Sequence, residues 1–232
     1  MNLQLAIVAE NRKARSVPDG AILSFWSRTF TLLADTCALL CDGSYASCPP
    51  LLRTALDCIA AQRSMGTDGL EDYEEWAVGA VSLAKEHQAL ALDLGRYRAA
   101  SVLIENESLG SVYRLLTDLS MPHFGSTTLQ VAPETGLERV ALGFADTAFH
   151  LGWAELTAGW LLLLTATELE TIRGQQALAV SREQSETISI LSTRIASTLG
   201  NSRRCRAEEV DGRFLIHNFR RAASGQPKRV ML

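Results

Sequence analysis

The chain has 232 residues, 47% of them hydrophobic and 21% charged, with a net charge of −4. That length holds one large domain or two small ones, and that composition excludes a chain disordered throughout. At this net charge no overall field favours nucleic acid or an acidic membrane.

The opening MNLQLAIVAENRKARS puts its charges after the apolar stretch, the wrong order for secretion. The five cysteines (Cys37, Cys41, Cys48, Cys58 and Cys205) form no Cys-x-x-Cys, so a reducing cytoplasm is the natural location. DGAILSFWSRTFTLLADTCALLCDG predicts the first convincing helix, with Asp19 able to cap it and Gly43 able to end it. Phe25, Thr29, Leu32, Leu33, Thr36 and Leu40 fall near one face. Cys37 and Cys41 lie one helical turn apart and can share a metal, although buried small hydrophobes are the commoner use of such a pair.

A second helix, LLRTALDCIAAQRS, follows Pro49-Pro50 and stops near Gly66. Asp68 and Glu71 resemble a capping box, which opens a long third helix through EDYEEWAVGAVSLAKEHQALALDLG to Gly95. A fourth, RAASVLIENESLGSVYRLLTDLS, ends before Pro122. MPHFGSTTLQVAPETG, from Met121 to Gly136, reads as a loop. Thr135 and Glu138 then cap the longest helix, which runs to about Ile172 and is broken by Gly174. Its segment TAFHLGWAELTAGWLLLLTA is long enough to span a membrane, but His150 and Glu155 are costly in lipid. A central buried helix accounts for it better, and no membrane association is expected. REQSETISILSTRIASTLG follows, with Ile188, Leu191, Ile195 and Leu199 on one stripe. Beyond Gly200 the pattern dissolves, and GRFLIHNFRR reads as a short strand or a helix stub.

One phrase is written twice. At a spacing of fifty-two residues, Gly43 and Gly95, Tyr45 and Tyr97, and Leu51 and Leu103 coincide. Each copy reads as a helical hairpin in which glycine closes one helix, tyrosine packs across the turn with its hydroxyl in water, and small residues admit the returning helix. Two such hairpins make an up-down-up-down unit. The expected fold is therefore an all-α antiparallel bundle of about six helices over residues 1–200. A basic C-terminal tail over residues 201–232 completes it.

That tail holds eight basic residues (Arg203, Arg204, Arg206, Arg213, Arg220, Arg221, Lys228 and Arg229) against Glu208, Glu209 and Asp211. Its local charge is +5, which leaves −9 on the first 202 residues. Arg203, Arg204, Arg206, Arg220 and Arg221 are candidate contacts to phosphates, through which a nucleotide or RNA would bind. The alternative is a solvated tail folding back onto its acidic body.

Arg53 and Asp57 are four apart on an otherwise apolar helix, so an arginine reaching inward would have its partner beside it. His123, in a Gly/Ser loop, has the chemistry of an acid, base or phosphate donor. Glu86 and His87 with Glu105 and Glu107 resemble the donors of di-iron bundles but lack the Glu-x-x-His spacing. Asp146 and His150 share a helix face that Glu155 does not reach, which suits a satisfied core histidine. Gly-x-x-x-x-Gly-Lys, Gly-x-Ser-x-Gly and His-Glu-x-x-His are all absent, and no cofactor or metal is expected.

LLCDGSYASCPPLLRTALDCIA resembles a broad set of uncharacterised bacterial all-helical proteins. They share a helix, Gly-x-Tyr, small residues and then Leu-x-Arg-x-x-x-Glu. HFGS is similar to their His-Gly-Ser segment and LTATELETIRGQQALA to their closing helix, so the resemblance covers roughly Thr31 to Ala179. It marks Arg53, Asp57 (where glutamate is usual) and His123 as catalytic candidates. It also implies a distant likeness to the HEPN superfamily of helical bundles, which includes RNA-cleaving toxins. The HEPN signature of Arg, four to six residues and His is absent; the nearest pair, Arg213 and His217, has three residues between. Two functions follow as expectations. One is a binding or assembly protein acting as a homo-oligomer, dimeric through a helix face opened by Gly143, Gly152 and Gly159. The other is an enzyme on nucleotides or RNA, with Arg53 holding a phosphate, Asp57 orienting it and His123 as acid or base.

Overall fold

A computed structural model describes residues 2–11, 16–65, 70–95, 100–136, 139, 142–144, 148–176, 178–220 and 227–232. Helices α1 (Asn2–Glu10), α2 (Val17–Cys41), α3 (Cys48–Met65) and α4 (Leu70–Gly79) precede a hairpin of β1 (Val81–Ala84) and β2 (Ala89–Leu92). Helices α5 (Ala100–Glu105), α6 (Glu107–Ser120), α7 (Phe124–Val131), α8 (Leu151–Gly174) and α9 (Arg182–Leu199) follow. The chain closes on strands β3 (Arg206–Val210), β4 (Arg213–His217) and β5 (Val230–Met231). The expected all-α bundle is thus corrected to a predominantly helical body carrying a two-stranded and a three-stranded antiparallel sheet. Among the described residues no helix is long and apolar enough to cross a membrane.

The α2–α3 hairpin forms as its sequence dictates. Ser16 caps α2 by accepting the Asp19 N–H at 3.3 Å, with Pro18 in the first turn. Gly43 takes φ +73°, and the Ser44 N–H returns to the Leu39 carbonyl at 2.9 Å while Gly43 N–H bonds Leu40. That is the Schellman closure, which needs a left-handed residue and so favours glycine. Tyr45 departs from expectation: its ring is buried, and its hydroxyl accepts the His150 N–H at 3.4 Å. The tyrosine ties this turn to the start of α8 rather than to water.

Three apolar clusters line the helices α2, α3 and α8. The largest gathers Leu52, Leu56 and Ile59 of α3, Leu115 and Leu116 of α6, and Trp153, Leu156 and Leu164 of α8. Phe214, Ile216 and Phe219 from the C-terminal region join it. A second joins Ile7 of α1, Trp26 of α2, Leu169 and Ile172 of α8, and Ile188 of α9. A third joins Ile22 of α2, Ala61 and Met65 of α3, and Tyr73 and Ala77 of α4.

Several expectations are corrected. The long third helix stops at Gly79, and the stretch to Leu92 is a hairpin; Asp68 of its capping box lies outside the described residues. The second Gly-x-Tyr copy therefore follows a strand, not a helix, and Tyr97 lies outside the described residues. The fourth helix is two, because Asn106 leaves the helical conformation and caps α6 by accepting the Leu109 N–H at 3.0 Å. The segment Phe124–Val131 inside the expected loop is α7. The helix expected to be the longest, α8, begins at Leu151 rather than near Thr135, with His150 as its N-cap, and its 24 residues fall short of the 25 of α2; Asp146 and Glu138 lie outside the described residues. Much of the segment beyond Gly200, read as a basic tail, forms the second sheet, in the order β3-β4-β5. Asp211 (φ +52°) and Gly212 (φ +74°) make its first turn, the two-residue arrangement whose twist matches a β-hairpin. The helix-face glycines are also used within the chain. Gly143 lies outside α8, a side chain on Gly152 would overlap the Phe219 carbonyl, and Gly159 faces the Arg204 guanidinium.

Candidate functional site

Arg53 leaves α3 towards α6. Its Nη2 donates to the Tyr113 hydroxyl at 2.9 Å and its Nε to Thr117 Oγ1 at 3.2 Å. The guanidinium also lies 5.3 Å from the Tyr113 ring centroid. Asp57 is 3.8 Å from Nη2 and nearly half exposed, a geometry worth little in energy. The structure thus brings Arg53 and Asp57 together, as their spacing requires. His123 is exposed at the N-cap of α7, and no hydrogen bond or ion pair among the described residues joins it to either.

The basic candidates are dispersed. Arg204 donates to the Glu155 carbonyl at 2.8 Å, and Arg220 to the Pro133 carbonyl at 2.8 Å. Arg206 stands 3.7 Å from Glu208 on its own strand, and Arg203 is exposed. Arg221 lies outside the described residues. Cys37 and Cys41 are exposed on α2, and Glu86 and His87 sit in the turn of the first hairpin. Among the described residues no three His, Cys, Asp or Glu side chains are placed to hold a metal ion.

His150 is a satisfied histidine. Its Nδ1 accepts the Trp153 N–H at 3.1 Å, so the proton sits on Nε2, 3.3 Å from Glu134. Burial holds it below the ordinary histidine value, against the pull of Glu134. Glu155 is spent on the Cys205 N–H at 2.7 Å.

Sequence reasoning missed two groups. The first is Glu168, fully buried on α8, with both carboxyl oxygens 3.1 and 3.2 Å from the Gln62 amide nitrogen. Burial pushes its carboxyl up to about 8, only partly countered by Gln62, so it is neutral at physiological pH. Gln62 Oε1 is left without a partner among the described residues. Burial likewise raises the nearby Cys58 thiol to about 11, which makes it inert as a nucleophile.

The second is the β1–β2 hairpin. Its register sets Val81 opposite Leu92 and Leu83 opposite Leu90. Alternate residues share a face, so these four stand together, and each is 50–69% exposed. The other face carries Ser82, Ala84, Ala89 and Ala91. Neither strand bears a charge; Lys85, Glu86 and His87 are confined to the turn. The hairpin packs outside itself chiefly on α4, the helix that leads into it. Comparisons of the chain with protein-family models, with curated proteins and with solved structures find no match.

Proposed function

We propose that this chain is an assembly protein whose β1–β2 hairpin pairs with the same hairpin of a second copy. The carrying observation is the open face of Val81, Leu83, Leu90 and Leu92 on strands without a single charge. A two-stranded hairpin is marginal in water and needs a third strand or a packed face. Edge strands in monomers are usually blunted by lysine, proline or a bulge, and these carry none. An uncharged apolar face is complementary to itself, so a twofold axis stacks the two hairpins with these faces against each other. Hiding the exposed parts of eight side chains contributes on the order of 10 kcal/mol. That is of the same order as the cost of association.

The nucleotide or RNA enzyme implied by the HEPN-like resemblance would rest on Arg53, Asp57 and His123. Two of the five Arg53 N–H donors are engaged by Tyr113 and Thr117, which favours a strut between α3 and α6 over a phosphate site.

Light scattering after gel filtration tests the assembly. The wild type is expected to run as a dimer at tens of micromolar, and L83D/L90D as a monomer with unchanged helical content. A wild-type monomer, or a variant that stays dimeric, overturns the proposal.

A further inference from the structure

Three of the five cysteines follow the usual habit of a free thiol. Cys48, Cys58 and Cys205 are buried, and burial raises the Cys48 and Cys58 thiols to about 11. Cys37 and Cys41 do otherwise: both are exposed on the last two turns of α2, and neither belongs to an apolar cluster. The commoner use of such a pair, as buried small hydrophobes, does not apply here. Two thiols stand in solvent, four residues apart.

Helix geometry sets what they can do together. Residues four apart on a helix lie one above the other, with Cβ atoms about 5–6 Å apart. A disulfide needs about 3.5–4.5 Å, so direct oxidation of the pair would have to unwind the turn. That turn is firmly closed: the Asp42 N–H bonds the Ala38 carbonyl at 3.0 Å, and the Ser44 N–H the Leu39 carbonyl at 2.9 Å. A single metal ion between the sulfurs spans the gap instead. Two metal–thiolate bonds of about 2.3 Å laid end to end hold the sulfurs about 4.6 Å apart. The ion must be one that two donors complete. Zn(II) takes four, and among the described residues no third His, Cys, Asp or Glu joins the pair. Cu(I) is soft, selects thiolate and is satisfied by a linear S–Cu–S arrangement.

The surroundings suit a cation. Residues 31–52 contain no lysine, arginine or histidine, whereas Asp35 and Asp42 are exposed near the same helix end. Cys41 is the last residue of α2, where the helix dipole is negative. We infer that Cys37 and Cys41 form a surface site that binds one Cu(I) ion per chain between their two sulfurs. Two S–Cu bonds form, any proton on either sulfur passes to solvent, and the ion stays Cu(I), so no oxidant or reductant is consumed. Because the turn is already helical, binding orders little else. The site is remote in sequence from the hairpin, and the inference does not rest on assembly.

The test titrates Cu(I), supplied anaerobically as its bicinchoninate complex, into the full chain carrying L83D/L90D, so that two copies joined through the hairpin cannot share an ion. One equivalent of Cu(I) should leave the chelator, with a thiolate-to-copper charge-transfer band in the ultraviolet. C37S and C41S should each weaken binding by more than the about 10- to 100-fold that loss of an outer-shell partner costs. Both positions are exposed, so helical content should be unchanged. A38C/C41S keeps two exposed thiols but sets them about 100° apart around the helix, and should weaken binding at least about tenfold. No copper taken from the chelator, half an equivalent per chain, or binding unchanged by C37S or C41S overturns the inference. So does A38C/C41S binding as tightly as its parent, which would make the helical spacing irrelevant.

Discussion

Replacing Glu168 by glutamine should abolish a large part of the pH dependence of stability. In the unfolded chain this carboxyl titrates near 4.5, and in the fold burial carries it to about 8. Below the first value both states are protonated and the group costs nothing. Between the two, the unfolded chain releases its proton and the fold does not. Stability then falls by about 1.4 kcal/mol per pH unit as pH rises, and above about 8 the loss is complete. Over the whole window the loss is on the order of 5 kcal/mol, a large share of a typical domain's stability. Glutamine has nearly the same shape, never ionises, and brings an NH2 that can meet the unpartnered Gln62 Oε1. Urea unfolding followed by circular dichroism at pH 5, 6, 7 and 8 measures the effect. The wild type should lose stability across the series relative to E168Q, and the two should differ most at pH 8. His150 is depressed, so its own penalty appears as pH falls below about 6.5; it is common to both proteins and cancels in the difference. Wild-type and E168Q curves that run parallel from pH 5 to 8 would refute the reasoning.

Three further substitutions probe the supports of the core. Gly152→Ala forces a methyl onto the Phe219 carbonyl and should cost about 1–3 kcal/mol in chemical denaturation, with the C-terminal sheet the first region to lose amide-exchange protection. Arg53→Ala removes the bonds to Tyr113 and Thr117 and should cost about 1–2 kcal/mol, whereas Asp57→Asn should cost only a few tenths. An Arg53→Ala protein as stable as its parent would show that the arginine is not a strut.

The helical body was legible where local chemistry agrees with the final packing. Pro49-Pro50 opens α3, Gly43 closes α2, and the stripe through Ile188 marks α9. The first hairpin was not legible, because Ala, Leu, Lys, Glu and Gln are all good helix formers. Its alternation was nonetheless present in Val81-Ser82-Leu83-Ala84 and Ala89-Leu90-Ala91-Leu92, a period of two that outweighs propensity. Val210-Asp211-Gly212-Arg213 likewise carried a hairpin signal inside a stretch dominated by its charge. Asn106, a good N-cap within an apparent single helix, marked the α5–α6 break. Glu168 carried no local mark. It becomes unusual only when a second helix closes over it, at Gln62.

The way the C-terminal strands enter the core sets an order of events during folding. Phe214, Ile216 and Phe219 complete a cluster whose other members, among them Leu56, Leu116 and Trp153, come much earlier in the chain. During synthesis those earlier side chains emerge first and lack their cover until the strands leave the ribosome. The Asn11–Ala179 bonds, 168 residues apart, and the Gln62–Glu168 pair, 106 apart, add loops that must close late. For so helical a protein, refolding should be slow, and the nascent chain should depend on chaperones that shield apolar surface until its last strands arrive.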